Sequence, residues 1–178
     1  MSTHNKPWAS IRQATPAELA YGGAPLNLAE DFRDALTRGN VVDAFVAGGG
    51  VRVVRIFEGQ DGHDGSSILG YGEDSIVENA LRRARDTYAK REQRGQSSID
   101  FRSGEYPEIG IGLLTGGETG SPLDAIVHAG HGLRILQDGE DVVAKTDYGW
   151  HSREGVEARG SDAQTAVDGL VAALRAAR

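Results

Sequence analysis

Val51-Arg52-Val53-Val54-Arg55-Ile56-Phe57, then Ser66-Ser67-Ile68-Leu69-Gly70-Tyr71-Gly72, then Ser75-Ile76-Val77-Glu78-Asn79-Ala80-Leu81: these three stretches, in this order, decide how the chain folds. In the first, Val51, Arg52 and Val53 alternate as a half-buried strand requires. The second reads as its partner strand across the loop 58–65. The third opens with Ser75 and Glu78 at capping-box spacing, so a helix follows, burying Val77, Ala80, Leu81, Ala84 and Tyr88 and ending before Gly95.

Upstream, Asn27 with Glu30 marks an earlier helix start, Leu28, Phe32, Ala35 and Leu36 form its buried stripe, and Gly39 suits a left-handed stop. Residues 41–47 follow, then the break Gly48-Gly49-Gly50. Residues 1–26 hold Pro7, Pro16 and Pro25 without sustained periodicity and read as an arm, with Trp8, Ile11, Leu19 and Tyr21 available to dock it.

Downstream, the same grammar returns. Asp124-Ala125-Ile126-Val127 parallels Asp43-Ala44-Phe45-Val46, and Leu133-Arg134-Ile135-Leu136 parallels Val51-Arg52-Val53-Val54. A hairpin and a last helix close this half, capped through Ser161 and Gln164, with Ala163, Ala166, Val167, Leu170, Val171 and Leu174 inward. Ser121-Pro122 is also a good helix start, so 124–129, and likewise 43–47, read as short helix or as strand. Ile109-Gly110-Ile111-Gly112-Leu113-Leu114 reads as a buried strand with close packing at its glycines.

Each helix has one apolar stripe and must cover a sheet. The expectation is an α+β domain over 27–178, made of two related strand-strand-helix units, 27–95 and 96–178. They share a mixed or antiparallel sheet with the helices packed on one face, and the repetition suggests an internal duplication.

Hydrophobic residues at 39% and charged residues at 25% are those of a folded globular chain. With no cysteine, disulfides, thiolate metal sites and cysteine nucleophiles are excluded. No apolar run reaches the roughly 20 residues of a membrane span, and Met1 to Lys6 leads into Pro7-Trp8 rather than a signal-peptide core, so a cytoplasmic location without membrane contact is expected. The net charge of -7 disfavours general nucleic-acid binding.

Chemistry-bearing residues fall into three groups. His128, His131 and His151 are the candidates for metal ligation or proton transfer, although no His-Glu-x-x-His pattern accompanies them. Gly116, Gly117, Thr119 and Ser121, in the loop 115–121 between an apolar strand and a helix start, are placed to hold an anion on backbone amides, without the Lys of a Walker loop. Arg83, Lys90 and Arg94 align along the helix 75–94 as a basic stripe for nucleic acid or an acidic partner. The loop 58–65 reads as an acidic hairpin loop, and Glu73-Asp74 and Glu140-Asp141 as a helix start and a hairpin turn.

Residues 72–81 resemble the strand-strand-helix of HicB-type antitoxin domains, and 78–81 are similar to a helix fragment of the inosine triphosphate pyrophosphatase family. Both matches are confined to one unit, and no family is assigned from them. The leading expectation is a non-enzymatic binding or regulatory protein that engages a protein or a small anionic ligand through loops and sheet edges. The alternatives are an enzyme of nucleotides or phosphates using the loop 115–121 and the histidines, and a nucleic-acid binder using the basic stripe. The sequence specifies no cofactor, and unpaired sheet edges together with the apolar arm residues invite self-association into a homo-oligomer of unspecified stoichiometry.

Overall fold

The computed structural model describes residues 25–47, 51–59, 67–99, 123, 127, 132–148 and 155–176. The elements run α1 (Leu28–Asp31), α2 (Arg33–Thr37), β1 (Val41–Val46), β2 (Arg52–Phe57), β3 (Ile68–Asp74), α3 (Val77–Gln93), β4 (Gly132–Asp138), β5 (Asp141–Tyr148), β6 (Glu157–Gly160) and α4 (Ala163–Ala176). Six strands form one sheet in the order β3-β2-β1-β4-β5-β6, every neighbouring pair antiparallel. The fold is α+β. Among the described residues no helix is long and apolar enough to cross a membrane.

Alternation along the strands divides the sheet into two faces. Val42, Ala44, Val54, Ile56, Leu133, Ile135, Val142 and Ala144 look toward the helices and share one hydrophobic cluster with them. α3 packs across β2 and β3, and α4 across β5 and β6. The buried stripe of α3 is the one its sequence predicts, Val77, Ala80, Leu81, Ala84 and Tyr88, and α4 buries Ala163, Ala166, Val167, Leu170 and Val171.

Glycine sets how closely each helix approaches. A Cβ on Gly72 would stand 2.1 Å from the Ala80 carbonyl oxygen, and one on Gly160 would stand 2.7 Å from the Ala166 nitrogen. Both are nearer than real Cβ contacts come, so each helix lies against backbone rather than side chain at that crossing.

The helix ends depart from the sequence reading in detail. Asn27 caps α1 as expected, accepting from the Glu30 N–H at 3.3 Å, but Asp31, not Glu30, reaches back to the Asn27 N–H at 2.8 Å. Phe32, at φ -111° and ψ 3°, splits the expected first helix into α1 and α2 while Leu28, Phe32, Ala35 and Leu36 keep their buried stripe. Ser75 does not cap α3 with its hydroxyl, which turns to Asp74 Oδ1 at 3.4 Å. At α4, Asp162 accepts from the Thr165 N–H at 2.8 Å, while Gln164 turns forward to Asp168 at 3.0 Å. At α4 the carboxylate beside Ser161 is the stronger acceptor for the dipole's positive end and takes the cap, whereas at α3 Asp74 accepts only from the Ile76 N–H at 3.2 Å and no side chain caps the helix.

The two halves are alike in arrangement: β1-β2-β3-α3 and β4-β5-β6-α4 are each a three-strand meander followed by a helix, meeting at β1 and β4 in mid-sheet. The residues paired by sequence do not occupy equivalent places, however. Residues 133–136 lie in β4, whose counterpart by position is β1, whereas 51–54 lead into β2. Asp43 to Val46 is strand, while Leu123 and Val127 are helical and fully buried. The duplication inferred from those paired residues therefore has no support in the sheet. The expected strand 109–114 and the arm 1–24 lie outside the described residues.

Candidate functional site

The sheet's second face, away from the helices, carries a row of polar residues through all six strands. In register they are Tyr71 on β3, Arg55 on β2, Asp43 on β1, Arg134 on β4, Lys145 on β5 and Glu157 on β6. Residues directly opposite on adjacent strands share a face and touch, so the row is a consequence of register alone.

Asp43 is its centre and is fully buried. Arg55 approaches it from one side through Nε to Oδ1 at 3.2 Å and Nη2 to Oδ2 at 3.0 Å, and Arg134 from the other through Nη2 at 3.7 Å. A carboxylate taken out of water needs such pairing, and a guanidinium fork meets both oxygens at once.

The same guanidinium is stacked. Its carbon lies 4.6 Å from the Phe45 ring centre and 4.4 Å from that of Phe57, one ring on the neighbouring strand and one on its own. Stacking on the faces and the Asp43 carboxylate at the edge hold the Arg55 side chain in one orientation. About a fifth of the side chain, 22%, remains exposed.

That exposed part opens on a cavity of about 520 Å³ lined by Phe45, Ala47, Val51, Val53, Arg55, Ile68, Tyr71 and Glu73. Tyr71 donates its hydroxyl hydrogen to Glu73. Burial first, and this bond second, push the phenol well above its ordinary value. The groove is thus lined by apolar side chains, a fixed cation and, directly opposite that cation on β3, a neutral phenol joined to a carboxylate.

The residues singled out by sequence are distributed otherwise. His128, His131, His151, Gly116, Gly117, Thr119 and Ser121 lie outside the described residues. Of the basic stripe, Arg83 is 34% exposed and bonds Asp74 at 3.1 Å, while Lys90 and Arg94 are exposed on the outer side of α3. The other cations of this helix are internal ties. Arg85 reaches Asp31 and the Pro25 carbonyl at 3.1 Å each, Arg91 reaches the carbonyls of Leu69 at 3.2 Å and Gln96 at 2.8 Å, and Arg82 is fully buried beside Asn79.

Sequence reasoning passed over Asp43, Arg55 and Tyr71 as site residues and read Glu73 with Asp74 as a helix start, whereas both lie in β3. A signal was present in Val41-Val42-Asp43-Ala44-Phe45 and Val53-Val54-Arg55-Ile56-Phe57, where one charge interrupts an otherwise apolar strand. That the two interruptions stand opposite each other is set by pairing, which no single strand records.

The β3 edge of the sheet is closed. The Tyr71 N–H donates to Thr87 Oγ1 at 2.8 Å, the Thr87 hydroxyl lies 2.9 Å from the Tyr71 carbonyl, Arg91 donates to the Leu69 carbonyl, and the Ile99 N–H to that of Ile68 at 2.9 Å. These bonds take the backbone groups of Ile68, Leu69 and Tyr71 that an added strand would need there. No protein-family model, no curated protein and no solved structure matches this chain.

Proposed function

We propose that this chain is a non-enzymatic binding protein that takes an apolar side chain of a protein partner into the groove over β1, β2 and β3, with Arg55 pairing to an acidic group beside it. The observation that carries the reading is the Arg55 guanidinium, stacked between Phe45 and Phe57, braced by Asp43 and lining the groove. Its orientation is set before any ligand arrives, so little side-chain entropy is lost on binding.

The volume supports the same reading, since pockets that hold ligands run about 300–1,000 Å³ and combine apolar walls with a few placed polar groups. Tyr71 fits a binding role better than a chemical one. Its phenol is raised away from the near-neutral range in which a side chain readily both gives up and regains a proton.

The test is site-specific photo-crosslinking in the chain's own host, with the photoreactive residue at Ile68 in the groove or at Glu140 in the distant β4–β5 turn. A protein captured from Ile68 and not from Glu140, and bound at least tenfold more weakly by Ile68→Asp, is the expected result. Equal capture from both positions, or none from Ile68, would sink the reading.

A further inference from the structure

The sheet has two edges, and they are treated differently. The Thr146 N–H donates to the Val156 carbonyl at 3.0 Å, and the Val156 N–H donates to Thr146 Oγ1 at 3.2 Å, so residue 156 turns its backbone toward β5. Antiparallel pairs alternate between bonded and non-bonded. With Ala144 opposite Ala158 and Val142 opposite Gly160, Ala158 and Gly160 also face β5. Glu157 and Arg159 then direct their N–H and C=O groups outward, and both residues are exposed. Among the described residues nothing closes this edge as Thr87, Arg91 and Ile99 close β3.

We infer that β6 is the edge at which a second copy of this chain joins, antiparallel and about a two-fold axis at Ala158. This register is singled out by two independent features. It places Glu157 opposite Arg159 of the other copy, and Arg159 opposite Glu157, so both outward-bonding residues meet outward-bonding residues and all four backbone groups on each side find partners. It also sets opposite charges against each other twice, which stabilises cross-strand pairs.

The molecule already contains a joint of this kind. β1 and β4 pair over Val42 to Ala44 and Leu133 to Ile135, antiparallel, with Asp43 opposite Arg134 and the helices of both halves on one face. A β6 joint repeats that arrangement between copies and extends the sheet without turning either core face outward. Arg159 also bonds Asp138 at 2.7 Å and stands 3.8 Å from Asp141, both at the β4–β5 turn of its own copy. The strand is short, so the association is concentration-dependent.

Sedimentation velocity on the full chain over a concentration series tests this directly. The wild type is expected to dimerise. Arg159→Pro removes an outward N–H from each copy without touching the bonds to β5, and is expected to weaken the dimer at least tenfold with an unchanged circular dichroism spectrum. Glu157→Arg and Arg159→Glu each set like charges opposite one another and weaken it roughly tenfold. An equimolar mixture of these two variants places opposite charges together again and restores dimers. If Arg159→Pro alters the fold, the two charge variants and their mixture decide. A wild type that stays monomeric, a dimer indifferent to all three substitutions, or a mixture that fails to recover each overturns the proposal.

Discussion

Tyr71 and Asp43 show what single side chains on the second face contribute. The Tyr71 phenol donates to Glu73 and is partly buried, so its folded-state pKa is raised. A raised pKa means that its contribution to stability is complete below the unfolded value of about 10 and is lost as pH rises through the higher folded one. Alkaline absorbance titration of wild type against Tyr71→Phe should therefore show the missing phenol absent from the ordinary ionisation step near pH 10 and present only beyond it. A difference spectrum centred at the ordinary value would count against the hydrogen bond. Asp43 is a sterner case. Asp43→Ala leaves Arg55 and Arg134 without their shared carboxylate and should cost about 3–5 kcal/mol in urea unfolding, as the loss of one partner from a buried ionic group does. A cost below about 1 kcal/mol would show that water already screens the site.

At the scale of elements, what the sequence made legible was periodicity. The buried stripe running through α1 and α2 and those of α3 and α4 follow from spacing, and Gly39 and Gly95, at φ +84° and +63°, stand where the helix ends require left-handed backbone. What was not legible depends on strand pairing. The sequence pattern marked Arg83, Lys90 and Arg94 as one stripe but could not show that Asp74, across the helix start, takes Arg83, or that Asp43 meets Arg55. Side chains of α3 also decide what the β3 edge can do. Thr87→Val keeps the shape of the side chain and deletes the hydroxyl that meets both the N–H and the C=O of Tyr71. It should cost about 1–3 kcal/mol. It should also speed hydrogen exchange at Tyr71 more than at Arg55, whose strand lies inside the sheet; equal acceleration at both would mean global unfolding rather than an opened edge. Gly72→Ala tests the other side of the same packing. Its new methyl group would meet the Ala80 carbonyl, which belongs to helix backbone and cannot rotate aside, so a loss of about 1–3 kcal/mol is expected. Unchanged stability would mean that α3 lifts from β3 at little cost.

For the whole molecule the question is whether the two meanders are one folding unit. They meet along β1 and β4, where Val42 faces Ile135 and Ala44 faces Leu133 on the helix side while Asp43 faces Arg134 on the other. A joint stabilised on both faces couples its halves more strongly than backbone bonds alone, because separating them would expose the apolar pairs and strand the buried carboxylate together. Urea unfolding should therefore be a single transition, with secondary and tertiary probes coinciding. Ile135→Ala places a cavity at this joint and should cost about 2–5 kcal/mol. The informative reading is where the loss is felt. If the halves are coupled, hydrogen exchange accelerates in β2 as much as in β5, although Ile135 lies in β4 and is paired only to β1 and β5. Acceleration confined to β5 and β6, or a second unfolding transition, would show that each meander with its helix stands alone and that the shared sheet is a contact between two folded units.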